Sequence, residues 1–234
     1  MQRTYKNHIE VGERLLELGL PEPLLRQAVT AGLLGWLSCT ENHPPSFRGI
    51  NAWAETVRGL REIFLPRGWQ RLNDRNLPLT VNLSTRTAIT ASSGDEFTGI
   101  EGASPRTRNP KGITTKEKVE ANAEQLGLFS YMTESEEEAK EFIEEVAKWD
   151  TWLLLSYRDY AARVVRCELS RPVGIGTDGR VDGWYERIIL GSIPFDGDEV
   201  TLAGGGGDDG NDADGSVEFG NGSDAIDVEV KRRA

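Results

Sequence analysis

The apolar residues of this chain change their spacing after Phe64, and the change divides it into a helical part and a mixed part. Up to Phe64 they recur at intervals of three and four; from Leu77 they come in short runs or alternate. The first spacing lines one stripe of a helix, the second one face of a strand. Val11, Leu15 and Leu18 predict a helix over residues 7–20, ended by Gly19 and Pro21. A second helix begins near Pro23, a residue accepted in a first turn, and carries Leu25, Val29, Leu33 and Trp36. Gly32 and Gly35 inside it either weaken it or admit another backbone at close range. Trp53, Val57, Leu60 and Phe64 predict a third helix over residues 51–65. The loop before it is about a dozen residues, too long for the tight turn of a DNA-reading helix pair.

Beyond Pro66 the pattern predicts strands at 77–83 and 87–91, joined tightly through Ser84, Thr85 and Arg86. A polar loop of about twenty residues, 92–112, follows; a loop of that length tends to be functional or disordered. A helix over 114–125 has a capping-box start, Thr114 with Glu117, and is polar nearly all round, so it should be exposed. A further helix over 134–149 would bury Phe142, Ile143, Val146 and Trp149. Strands are expected at 151–157, 163–170 and 184–193. In the middle one Val165, Cys167 and Leu169 lie on one face, Arg166 and Glu168 on the other. The expected fold is therefore α+β. Residues 1–196 form one domain, helical over 1–66 and mixed over 67–196, with an antiparallel sheet of four or five strands. Residues 197–234, rich in Gly and Asp, bury too little apolar surface to order and should form a disordered tail.

Charge is uneven along the chain, and its distribution says more than the net −11. Residues 58–118 hold eleven Lys or Arg against six Asp or Glu. Residues 196–229 hold eleven acidic groups and no basic one. No apolar run could span a bilayer, and the first twenty residues hold no uninterrupted apolar stretch of the kind a secretory signal needs. With Cys39 and Cys167 far apart, free thiols in a reducing cytoplasm are the expectation.

The sequence offers little chemistry of its own. His8, His43 and the two cysteines have no metal-ligand spacing, and no cofactor motif is present. The Gly102–Gly112 loop fails as a nucleotide-binding loop, because its lysine precedes the glycine. Two carboxylate sets keep a metal-dependent nuclease or other hydrolase as an alternative: Asp95 with Glu96, and Asp227, Glu229 with Lys231. The balance leans away from an enzyme.

What remains is a basic surface. Lys111, Arg106 and Arg108, with the free N–H groups at the start of the next helix, could hold a phosphate; Arg86, Lys116 and Lys118 extend the charge. Just beyond stands Gln125-Leu126-Gly127-Leu128-Phe129. This pentapeptide resembles the short motif by which bacterial replication and repair proteins dock onto the DNA sliding clamp; the resemblance covers these five residues alone. It implies that Leu128 and Phe129 fill an apolar pocket, Leu126 covers a neighbouring patch and Gln125 fixes register through its amide. The same apolar side chains would also serve as a core anchor at a helix end, and exposure separates the two readings. Together these features point to a DNA-associated accessory protein of a bacterium or mobile element, with the clamp and DNA as partners. A regulatory module that meets a protein partner through its acidic tail is the alternative.

Overall fold

The computed structural model describes residues 2–124 and 149–195. The chain runs β1 (Arg3–Tyr5), α1 (His8–Glu17), α2 (Glu22–Leu37), α3 (Phe47–Phe64), a single 3-10 turn, β2 (Gln70–Asp74), β3 (Leu77–Asn82) and β4 (Thr87–Ser93). It continues through α4 (Ile113–Glu124), β5 (Asp150–Asp159), β6 (Val164–Ile175) and β7 (Val181–Pro194). The seven strands form one sheet in the order β1-β7-β6-β5-β4-β3-β2.

The α+β class is as expected, but the sheet is larger than four or five strands and is mixed. β4 pairs parallel with β5, and β1 parallel with β7; the other neighbours are antiparallel. β1 and β2 have no counterpart in the sequence reading: each is short and mostly exposed, so neither carries a clear alternation. The parallel pair requires a crossover between β4 and β5, and α4 lies on it.

α1, α2 and α3 cover one face of the sheet. Asn7 caps α1 by accepting the Ile9 N–H at 3.0 Å, and Gly19, at φ +68°, ends it in a left-handed turn. α2 and α3 touch through missing side chains. A Cβ on Gly32 would lie 2.0 Å from Thr56 Oγ1, and one on Gly59 3.1 Å from Ala31 Cβ. The helical stripes then meet the sheet. Val11, Leu15, Leu25, Val29, Leu60 and Phe64 join Ile89, Trp152, Leu154, Cys167, Leu169 and Ile188 in one core. Each such side chain contributes about 1.5–3 kcal/mol on burial.

The other face is covered by α4 and by the 94–112 loop. Val119 of α4 packs with Leu153, Leu155, Val181 and Trp184. Between the pairs Arg171–Glu186 and Pro172–Trp184, β7 sets two residues against one of β6. That bulge turns both Trp184 and Arg187 toward this face.

α4 is not the exposed spacer its composition suggests: Thr115, Lys118, Val119 and Asn122 are buried. Polar groups can go inside when they are paired. Asn122 accepts the Thr151 N–H at 2.9 Å and donates to the Thr151 and Pro172 carbonyls at 2.9 and 3.0 Å. Lys118 Nζ lies 2.9 Å from Asp74 Oδ2. Glu117, expected to close a capping box on Thr114, instead pairs with Arg75. The helix predicted over 134–149 and the 197–234 tail fall outside the described residues.

A candidate anion-binding cleft

β3 and β4 pair only over Thr80–Ile89, Val81–Ala88 and Asn82–Thr87. Beyond Ile89, β4 continues along β5, while the start of β3 continues along β2. The two strands part, and a cleft of about 60 Å³ opens between them. Trp53 of α3, with Leu77 and Pro78, forms one side; the entry to α4 forms the other. That is space for a small group of atoms, against the roughly 300–1,000 Å³ of a drug-sized ligand site.

The polar lining follows from alternation on β4. Ile89 and Ala91 face the helical core, so Thr90 and Ser92 face α4. Ser92 Oγ meets Lys111 Nζ at 2.8 Å. Lys111 is only 7% exposed, and its backbone N–H is fixed to the Gly179 carbonyl at 2.8 Å. α4 begins two residues later. The Lys116 N–H reaches the Gly112 carbonyl at 3.1 Å, so the N–H groups of Ile113, Thr114 and Thr115 precede the first intrahelical bond. Those N–H groups and the helix dipole favour negative charge at this end. Thr90, 3% exposed, also lines the cleft, and its hydroxyl has no hydrogen-bond partner. Among the described residues that line it, Lys111 is the charged one. It lies beside the second half of β4, at the level of Leu153 early in β5.

The loop that delivers Lys111 is tied down along its length. The Asp95 carboxylate accepts the N–H groups of Phe97 and Arg106 at 3.1 and 3.0 Å; burial pushes its pKa up, and these bonds pull the other way. Arg108 N–H donates to the Ser93 carbonyl and Thr107 N–H to that of Val181, at 3.0 and 2.9 Å. Trp184 Nε1 donates to the Pro105 carbonyl at 2.7 Å. Beneath the loop, Arg187 holds the Ile100 and Ala103 carbonyls, and Glu168 accepts the Gly99 N–H at 2.8 Å.

The six cations expected to make one phosphate surface are distributed differently. Lys111 lines the cleft. Arg86 sits in the turn before β4, about 20 Å away by the rise of six extended residues. Arg106 pairs with Asp178 at 2.8 Å, and Lys116 lies beside the Gly179 turn. Arg108 is half-buried where the loop meets Ser93. Lys118 is buried against Asp74, so it cannot face a nucleic-acid backbone. Gln125, Leu126, Leu128 and Phe129 lie outside the described residues, as do Asp227, Glu229 and Lys231. Asp95 is engaged in holding its own loop, and Glu96 is exposed. Among the described residues no cluster of His, Cys, Asp or Glu has metal-binding geometry, and no helix is long and apolar enough to cross a membrane.

Comparison with family models, curated proteins and solved structures finds no match for this chain. The reading of the site therefore rests on its own groups. Thr90, Ser92 and Thr115 were not singled out from the sequence, and Trp53 was read only as part of a helical stripe. The available signal was a strand ending in alternating hydroxyl residues, followed by a Lys-Gly helix entry.

Proposed function

We propose that the protein is an accessory factor acting at DNA, which it meets through phosphate held in the β3–β4 cleft. The observation that carries this reading is Lys111, a buried lysine beside the start of α4 whose Nζ reaches Ser92 Oγ at the cleft. Recruitment would come from the pentapeptide at residues 125–129, directly after α4, engaging a bacterial sliding clamp. Its apolar groups suit micromolar docking, about −8 kcal/mol, once the ordering of a linear segment is subtracted.

The test is equilibrium binding of the full chain to DNA at several salt concentrations. One buried cation at a phosphate corresponds to a log–log salt slope of about −1, far shallower than a broad basic surface gives. Lys111→Met should abolish binding; undiminished binding would remove the cleft from the reading. In parallel, Phe129→Ala should end binding of the full chain to a bacterial clamp.

A second reading is favoured by the eleven acidic groups of residues 196–229. There the tail competes for the basic segment or for a basic partner protein. Removing residues 204–234 would then strengthen DNA binding; unchanged affinity counts against it.

A further inference from the structure

We propose that residues 226–230 of the same chain dock as an eighth strand on the open edge of β2. This docking is independent of whether the cleft holds phosphate. β2 is the outermost strand at its end of the sheet. Asp74 and Leu77 close a two-residue hairpin through Arg75, at φ +54°, and Asn76. The hydrogen-bonded pairs with β3 then fall at Asp74, Leu72 and Gln70. Pro78, which has no N–H, stands opposite Asn73, as that alternation allows. The N–H and C=O groups of Arg71 and Asn73 therefore point outward, on two exposed residues. Such an edge is a template for another strand.

The two faces of this edge differ, and residues 226–230 match both. Partly buried Leu72 carries the apolar cluster of Leu79, Val81, Ala88 and Trp149 out to the edge. Arg71 and Asn73 lie on the opposite face, where Arg61 of α3 donates to Asn73 Oδ1 at 2.6 Å. Neither Arg61 nor Arg71 meets a carboxylate among the described residues. Burial, with Arg71 nearby, holds the Arg61 guanidinium below its ordinary pKa. Ile226-Asp227-Val228-Glu229-Val230 alternates in the same way, apolar on one side of a strand and carboxylate on the other. Seated on β2, its apolar side extends the Leu72 cluster and its carboxylates meet Arg61 and Arg71. The β1 edge offers no such match, because Tyr5 packs with the helical core and Thr4 stands opposite Arg187.

Reach and direction fit as well. β7 and β2 are five strand spacings apart, about 24 Å. The thirty residues from 196 to 225 are rich in Gly, and a stretch of that length and composition spans about 30 Å. Through the intervening pairings β7 and β2 run in the same direction, so the chain leaves Pro194 at the end of the sheet where β2 finishes. A segment arriving from there runs antiparallel to β2. With Val228 beside Leu72, Asp227 falls opposite Asn73 and Glu229 opposite Arg71.

The experiment is amide hydrogen exchange on the full chain, wild type against the double variant Asp227→Lys with Glu229→Lys. In wild type the Arg71 and Asn73 amides should exchange about tenfold slower than in the variant, while Thr80 and Ile89 stay unchanged. Glu229→Lys alone should lose part of the protection at Asn73, and adding Arg71→Glu should restore it.

Wild-type amides at Arg71 and Asn73 that exchange as fast as those of the double variant would overturn the docking. Protection retained in the double variant would overturn it too, because the edge would then be covered by something other than this segment. Exchange that slows as protein concentration rises would assign the strand to a second copy and overturn the intramolecular arrangement.

Discussion

Arg187 donates two parallel hydrogen bonds to the Glu168 carboxylate, Nε to Oε1 at 3.0 Å and Nη2 to Oε2 at 2.6 Å, with both side chains fully buried. Ser170 Oγ adds a third bond to Glu168 at 2.6 Å, and the remaining Arg187 donors reach up to the loop. The pair fastens the loop that presents Lys111 to the sheet beneath it. Glu168→Ala would strand a buried guanidinium and should cost about 3–5 kcal/mol in chemical denaturation. Glu168→Leu with Arg187→Met should recover much of that loss, yet loosen the loop and weaken ligand binding. A double variant with native affinity would show that the pair does not position Lys111.

The α2–α3 contact depends on a missing side chain. Gly32→Ala would press a methyl onto Thr56 Oγ1 and should lower stability by about 1–3 kcal/mol. Adding Thr56→Ala should restore part of it, measurable as a partial return of the denaturation midpoint.

Asn122 binds the backbone at two places, Thr151 on β5 and Pro172 on β6. Asn122→Ala leaves buried N–H and C=O groups without partners, a loss of about 1–3 kcal/mol. Hydrogen exchange at the Thr151 amide should rise by more than at β7, because the defect is local.

Burial raises the Asp150 pKa above the ordinary carboxylate value, although Arg171 at 2.5 Å opposes the shift. A group whose folded pKa is raised favours the native state most below its unfolded pKa, and loses that contribution as pH rises through the folded one. Wild type should therefore gain stability relative to Asp150→Asn as pH falls from 7 toward 4. A difference that is flat with pH would show that the carboxyl is not desolvated.

Burial pushes the Cys167 thiol up to about 12, and both cysteines are buried. Neither should react with a disulfide reagent at pH 8 in the native protein. Two thiols should titrate once denaturant is added.

The parts of this architecture legible in the sequence were those with a strong period. Val11 and Leu15, Leu25 and Val29, and Leu60 and Phe64 mark their helices, and Val165, Cys167 and Leu169 mark the core face of β6. Pairing and covering were not legible. Glu168 reads as the solvent side of a strand, and it is polar; nothing local announces that residues 98–105 close over it. α4 reads as exposed because its buried groups are polar, and only their distant partners, Asp74, Thr151 and Pro172, make burial tolerable. In the cleft, Lys111 and the helix start were visible. Thr90 was not, because an unpartnered hydroxyl has meaning only once its surroundings are known.

The parallel pairing of β1 with β7 joins Arg3–Tyr5 to Glu186–Ile188, almost the full described length of the chain apart. During synthesis the first strand must wait for the last. At about 5–20 residues per second, roughly 10–40 s separate their emergence. Over much of that interval α1, α2 and α3 have been made, while the strands that cover their apolar stripes have not. The nascent chain thus presents a sticky helical surface to the cell before its sheet can form, a period in which holding by a chaperone would decide yield.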